Sequence, residues 1–123
     1  MVRHKIVSLK QSVGGIIQIG AELAFTWMKE EEGVLIDVRE QEELEVEWIP
    51  GVTAMPLSLF NPSAIEGIGA NKLIFICQTG RRSIEAAERM LSYGIFEVYN
   101  VKDGLLAWNA AGLESIDQSA LLI

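Results

Sequence analysis

At 123 residues and 50% hydrophobic, the chain holds one domain's worth of sequence and can bury a core without covalent staples. A formal charge of -7 and a pI near 4.7 argue against nucleic acid and anionic membranes as partners. One cysteine, Cys77, excludes an internal disulfide and a cysteine-rich zinc site, and the lone histidine, His4, lies in a basic N-terminal stretch that offers no Cys-His or Ser-His pair. No stretch has the length of a membrane span and the first residues lack a signal-peptide pattern, so the expectation is a soluble, cytoplasmic protein.

Residues 1–15, ending in Gly14-Gly15, read as an extension. Ile16 to Ile19 reads as a short strand. Ala21 to Glu31 follows as an amphipathic helix whose Leu23, Ala24, Trp27 and Met28 share one face, which assigns Trp27 to the core. Val34-Leu35-Ile36 is continuously apolar, as in a parallel strand covered on both faces. Gln41 to Val46 suits a short helix, Pro50-Gly51 a turn, Val52 to Leu57 a strand, and Pro62 the start of a one- or two-turn helix. Leu73 to Ile76 reads as the central strand and Ser83 to Ser92 as a helix closed by Gly94. Glu97 to Val101 is the next strand, and Leu105 to Ala111 the last helix before Gly112. The acidic runs Glu30 to Glu32 and Glu40 to Glu47 read as solvated helix faces. The tail, 114–123, ends in Ala120-Leu121-Leu122-Ile123, apolar enough to be expected to pack back on the domain. Strands alternating with helices imply an α/β fold, a mostly parallel central sheet with helices on both faces and sites at the carboxyl ends of its strands.

Cys77 stands at such an end, where Leu73-Ile74-Phe75-Ile76 gives way to Gln78-Thr79-Gly80-Arg81-Arg82-Ser83. Two readings compete. A cysteine that ends an apolar strand can be a small buried hydrophobe. Alternatively, the thiol is presented to a turn whose backbone N–H groups, with the helix N-terminus and two arginines, favour thiolate. Asp37 and Arg39 follow the earlier strand at the same end. Asp37 is a candidate acceptor for a loop arginine and Arg39 a candidate partner for Glu43 or another carboxylate, both bracing the loop.

Cys77 to Ser83 spells C-x-x-G-x-R-S, which resembles the active-site loop of the rhodanese (sulfurtransferase) family. In order along the chain, Asp37-Val38-Arg39 resembles the family's D-V-R strand end, with Glu42-Glu43-Leu44 after it. Trp48-Ile49-Pro50-Gly51-Val52 resembles H-I-P-G-A, and Asp103-Gly104-Leu105-Leu106-Ala107-Trp108 resembles G-G-x-x-x-W. Trp48 departs from the pattern's histidine, and Asp103 from its first glycine. The resemblance implies a rhodanese-like domain over residues 16–113. Cys77 would be its nucleophile, carrying a persulfide cradled by backbone N–H groups from Gln78 to Ser83, with Gln78, Thr79, Gly80, Arg81, Arg82 and Ser83 lining the substrate loop. It further implies that Arg82, with Arg81, binds a small anionic sulfur donor, that a thiol, cyanide or protein cysteine accepts the sulfur, and that neither metal nor organic cofactor takes part. Two rival classes stay open. One is a non-catalytic binding domain of the same family, although this chain keeps the nucleophile. The other is a cysteine phosphatase or arsenate reductase, which uses C-x5-R where Cys77 and Arg82 form C-x4-R. A thiol-disulfide oxidoreductase would need a second cysteine.

Overall fold

The computed structural model describes residues 15–69 and 71–119, so the segment containing His4 and the terminal Ala120-Leu121-Leu122-Ile123 lie outside the described residues. In chain order the elements are β1 (Ile16–Ile19), α1 (Ala21–Lys29), β2 (Val34–Asp37), α2 (Gln41–Val46), β3 (Glu47–Trp48) and β4 (Thr53–Ala54). A 3-10 turn (Leu57–Leu59), α3 (Pro62–Glu66), β5 (Leu73–Ile76), α4 (Arg82–Tyr93), β6 (Val98–Val101), α5 (Gly104–Ala110) and β7 (Ile116–Asp117) complete the series. Five strands form one sheet in the order β1-β6-β5-β2-β4, and every neighbouring pair in it is parallel. β3 and β7 make a separate antiparallel ribbon that pairs Trp48 with Ile116.

Each short apolar strand feeds alternate residues to two cores. Leu35, Ile74 and Ile76 pack with Ala21 and Ala24 of α1 and Leu105 and Trp108 of α5. Ile36, Phe75 and Cys77 pack on the other face with Ile65 of α3 and Ala86, Ala87 and Met90 of α4. The period-two alternation of a strand thus turns Cys77 toward α4. Trp108 is fully buried, its indole N–H donating to the Glu114 carbonyl at 2.9 Å. Burying such side chains contributes about 1.5–3 kcal/mol each toward the cost of ordering the chain. Gly94 ends α4 at φ 115, a left-handed backbone that glycine adopts without strain.

Three sequence readings need correction. In α1 the face turns by one residue: Ala21 and Ala24 are buried, Leu23 is exposed, and Trp27 is half-buried, its ring edge-on to Tyr99 with centroids 5.0 Å apart. The strand expected over Val52 to Leu57 contracts to Thr53–Ala54, since Pro56 has no N–H to give to a ladder and starts the 3-10 turn. The acidic run from Glu40 to Glu47 is only partly a solvated face, because Glu40, Glu43 and Glu47 each hold a polar partner.

Candidate active site around Cys77

The site lies at the carboxyl end of β5, beside the ends of β2 and β6. Cys77 occupies that end as the sequence reading requires, but its thiol is 1% exposed and belongs to the α4-side core, so it is not openly presented. It is nevertheless bonded in a way a hydrophobic filler is not. Sγ accepts from the Gly80 N–H at 3.1 Å and the Ser83 N–H at 3.3 Å, and the Ser83 hydroxyl stands 3.3 Å away. Burial pushes the thiol pKa up. The hydroxyl and N–H of Ser83 and the N–H groups of Gly80 and Thr79 outweigh that penalty, and the net direction is downward from 9.0. Around the resting thiol, of the expected Gln78 to Ser83 span, the N–H groups of Gly80 and Ser83 are the ones that bond the sulfur.

The loop's shape follows from its glycine and from the helix it rests on. Gly80 turns at φ 97, and a Cβ there would lie 3.2 Å from the Asp103 nitrogen. The first turn of α5 ties down the opening of the loop, with Leu105 N–H donating to the Cys77 carbonyl at 2.8 Å and Leu106 N–H to that of Gln78 at 3.2 Å. Gly104 stands against those carbonyls, and any side chain there would strike the Cys77 oxygen. Asp103 holds φ 60, a left-handed conformation that Asp tolerates, so the departure from a glycine pair falls on the more forgiving position. The sequence singled out this pair but gave no sign of its contact with Cys77, which exists only once β5 and β6 are neighbours.

The arginines divide differently from the expectation. Asp37 does not accept from a loop arginine. It holds Arg39 from the next turn of chain, with the Arg39 Nη2 at 3.0 Å and Nε at 3.1 Å, both side chains fully buried, and Arg39 also donates to the Glu47 carbonyl at 2.7 Å. The cause is strand alternation: Ile36 and Val38 face α4, which sends Asp37 and Arg39 to the side of the sheet away from Cys77. Arg39, expected to pair with Glu43 or another carboxylate, thus pairs with Asp37, and Glu43 takes Arg82 in a two-pronged pair at 2.6 and 2.9 Å. Hydrogen bonding to Arg82 holds the Glu43 carboxyl at about 2, below its ordinary 4.5, so the pair is ionised throughout the physiological range. Glu43 also accepts from the Glu40 N–H at 2.9 Å, and Glu40 accepts from the Ser58 hydroxyl at 2.6 Å. This chain from the 3-10 turn to α4 fixes the loop from behind. Arg81 is exposed and, among the described residues, makes no ion pair. No group of three or more His, Cys, Asp or Glu side chains able to hold a metal ion occurs among the described residues. Trp48 is half-buried in the β3–β7 ribbon.

Most of the chain is similar to known proteins. The family model for the Rhodanese-like domain matches residues 22–111. A putative sulfur carrier protein of Bacillus subtilis is 40% identical over 74 residues, which are 60% of this chain and 40% of that protein. A sulfurtransferase of Allochromatium vinosum is 28% identical over 83 residues, 68% of this chain and 78% of that one. Among solved structures, a thiosulfate sulfurtransferase from Pseudomonas aeruginosa superposes with a TM-score of 0.68 at 26% identity, covering 81% of this chain and 20% of that one. The chain spans less than half the length of the first curated relatives it matches.

Proposed function

The chain belongs to the rhodanese-like domain family, and from that premise we propose that it is a sulfurtransferase working through a persulfide on Cys77. It takes a sulfane sulfur from a thiosulfate-like or persulfide donor and passes it to a thiol, cyanide or a protein acceptor, in the cytoplasm and with no metal or organic cofactor. The observation that carries this reading is the bonding of one sulfur. At the end of a parallel strand, Sγ collects two backbone N–H groups and faces a hydroxyl, an arrangement that favours the anion.

In the first half-reaction the Cys77 thiolate attacks the outer sulfur of the donor. The new bond joins Sγ to that sulfur, the donor's S–S bond breaks, and its electron pair leaves with the departing anion. The N–H groups of Gly80 and Ser83 are preorganised for negative charge at this point and need no rearrangement as it shifts outward. In the second half-reaction an external nucleophile removes the sulfur and regenerates the thiolate. A lone cysteine has no neighbour to resolve the persulfide, so the protein is a carrier between two partners. The thiol's 1% exposure favours a second reading, a binding domain that no longer turns over. Intact mass after incubation with sulfane-sulfur donors separates the two. The expected result is the gain of one sulfur, reversed by reductant and absent in Cys77→Ser, which keeps the fold because serine is close in volume. A folded wild-type protein that takes up no sulfur from any donor would sink the sulfurtransferase reading.

A further inference from the structure

The thiol that must react is closed off. Cys77 is 1% exposed, and a reacting atom has to come within about 3–3.5 Å of the sulfur. The loop and the start of α4 stand closest to it, with Gly80 and Ser83 bonded to Sγ at 3.1 and 3.3 Å, so a reagent reaches the sulfur only when they move. What holds them is α2. This helix follows β2 at the sheet end where Cys77 stands, and none of its six residues is buried. It meets α4 through Glu43, whose two oxygens bind Arg82, the first residue of α4, and the next residue, Ser83, holds the sulfur. The Arg82 pKa is pushed up, first by those bonds and further by the charges of Glu43 and Cys77, which places the pair within electrostatic reach of the sulfur. At its amino end α2 is tied through Glu40 to the Ser58 N–H at 3.1 Å and hydroxyl at 2.6 Å. At its carboxyl end the Val46 carbonyl accepts from the Gln118 N–H at 2.8 Å. An element held by polar contacts, with no buried side chain of its own, belongs to the part of a fold that opens locally at least cost. The Glu43 and Arg82 side chains are 35% and 34% exposed, and an ion pair so open to water is weak.

We propose that the Glu43–Arg82 pair is a latch on the Cys77 loop: when it parts, α2 swings about its carboxyl end, and the loop and first turn of α4, no longer held from behind, open to admit a reagent to the sulfur. Reclosing returns Gly80 and Ser83 to Sγ, so their N–H groups are again in place when the sulfur reacts. The latch governs access to the thiol, and its use in sulfur transfer rests on the sulfurtransferase reading. Because the tie is an ion pair, access should also respond to ionic strength, the screening length falling to about 3 Å at 1 M salt.

The test follows alkylation of Cys77 by iodoacetamide, a neutral reagent, by intact mass of the full chain, whose single cysteine gives a single adduct. Rates are taken up to the alkaline limit, where the sulfur is all thiolate. The midpoint of the pH profile then reports the thiol pKa and the limiting rate reports access alone. The wild-type limit should lie at least about tenfold below that of N-acetylcysteine, as for a thiol reached through a state populated at about a tenth or less. Glu43→Gln keeps an acceptor for the Glu40 N–H but gives up the ion pair, and it should raise the limit about two- to fivefold. Ser58→Ala loosens the amino end of α2 and should raise it as well. Salt at about 1 M should speed the wild type and leave Glu43→Gln unchanged. A wild-type limit equal to that of N-acetylcysteine shows an open thiol and overturns the latch. So does a limit that neither salt nor either folded variant moves. Alkylation that responds as stated, in a protein whose Cys77 takes sulfur from no sulfane-sulfur donor, upholds the latch and overturns the sulfurtransferase reading.

Discussion

Cys77 has the burial of an inert core thiol and the hydrogen bonds of a reactive one, and Ser83 decides between them. Its N–H belongs to the first turn of α4, whose dipole adds to the bond, and its hydroxyl supplies a donor that backbone cannot. Ser83→Ala removes only the hydroxyl, and thiolate absorbance should then titrate at higher pH than in the wild type, with the pH dependence of sulfur loading moving the same way. A thiol pKa lowered by folding adds stability that is fully present above the ordinary 9.0 and is lost as pH falls through the folded value. Ser83→Ala should therefore reduce the rise in Tm between neutral and alkaline pH, and an identical titration in the two proteins would show that the hydroxyl does nothing for the sulfur. The sequence already pointed to Cys77, Gly80 and the two arginines, because turn glycine, strand end and helix start are local features. It did not find Glu43 as the partner of Arg82, because the two lie 39 positions apart and meet only once β2 and β5 are neighbours.

Among the elements, α5 does more for the site than its distance from Cys77 in sequence suggests. Its first turn begins on a left-handed pair, Asp103 and Gly104, and spends two of its free N–H groups on the carbonyls of Cys77 and Gln78. Gly104 combines a positive φ of 53 with a backbone contact on the loop, so both conformation and space forbid a side chain. Gly104→Ala should lower stability by more than about 1 kcal/mol, since alanine at a positive φ is strained even without a clash. It should also slow sulfur loading in the fraction that folds, because the loop must move off α5 to admit the methyl group. Calorimetry together with intact-mass kinetics would check this, and a variant with unchanged Tm and loading would show that the α5 contact is incidental. Most elements were legible from short apolar runs bounded by Gly, Pro and charges. β3 and β7 were not, because two-residue strands carry no periodicity and their pairing joins Trp48 to a residue 68 positions later.

At the scale of the whole molecule, a parallel sheet alone brings the ends of β2, β5 and β6 together, while the last described residues close the structure from outside it. The Trp108 indole donates to the Glu114 carbonyl, Ser115 reaches Glu47, Gln118 N–H donates to the Val46 carbonyl, and Ile116 pairs with Trp48. Through Glu47, whose carbonyl accepts from Arg39, the same ribbon touches the buried Asp37–Arg39 pair. We propose that residues 16–113 hold the whole catalytic apparatus and that the described tail residues, 114–119, act as a brace. A chain ending at Leu113 should then lose the β3–β7 ribbon and the acceptor of a core indole, at a cost of about 1–3 kcal/mol for that donor. Its Tm should fall, yet sulfur loading measured well below the new Tm should persist, since Cys77, Gly80, Ser83 and Gly104 all lie upstream. A truncated protein that folds but no longer loads sulfur would make the tail part of the site, with Arg39 and Glu47 as the route by which it acts.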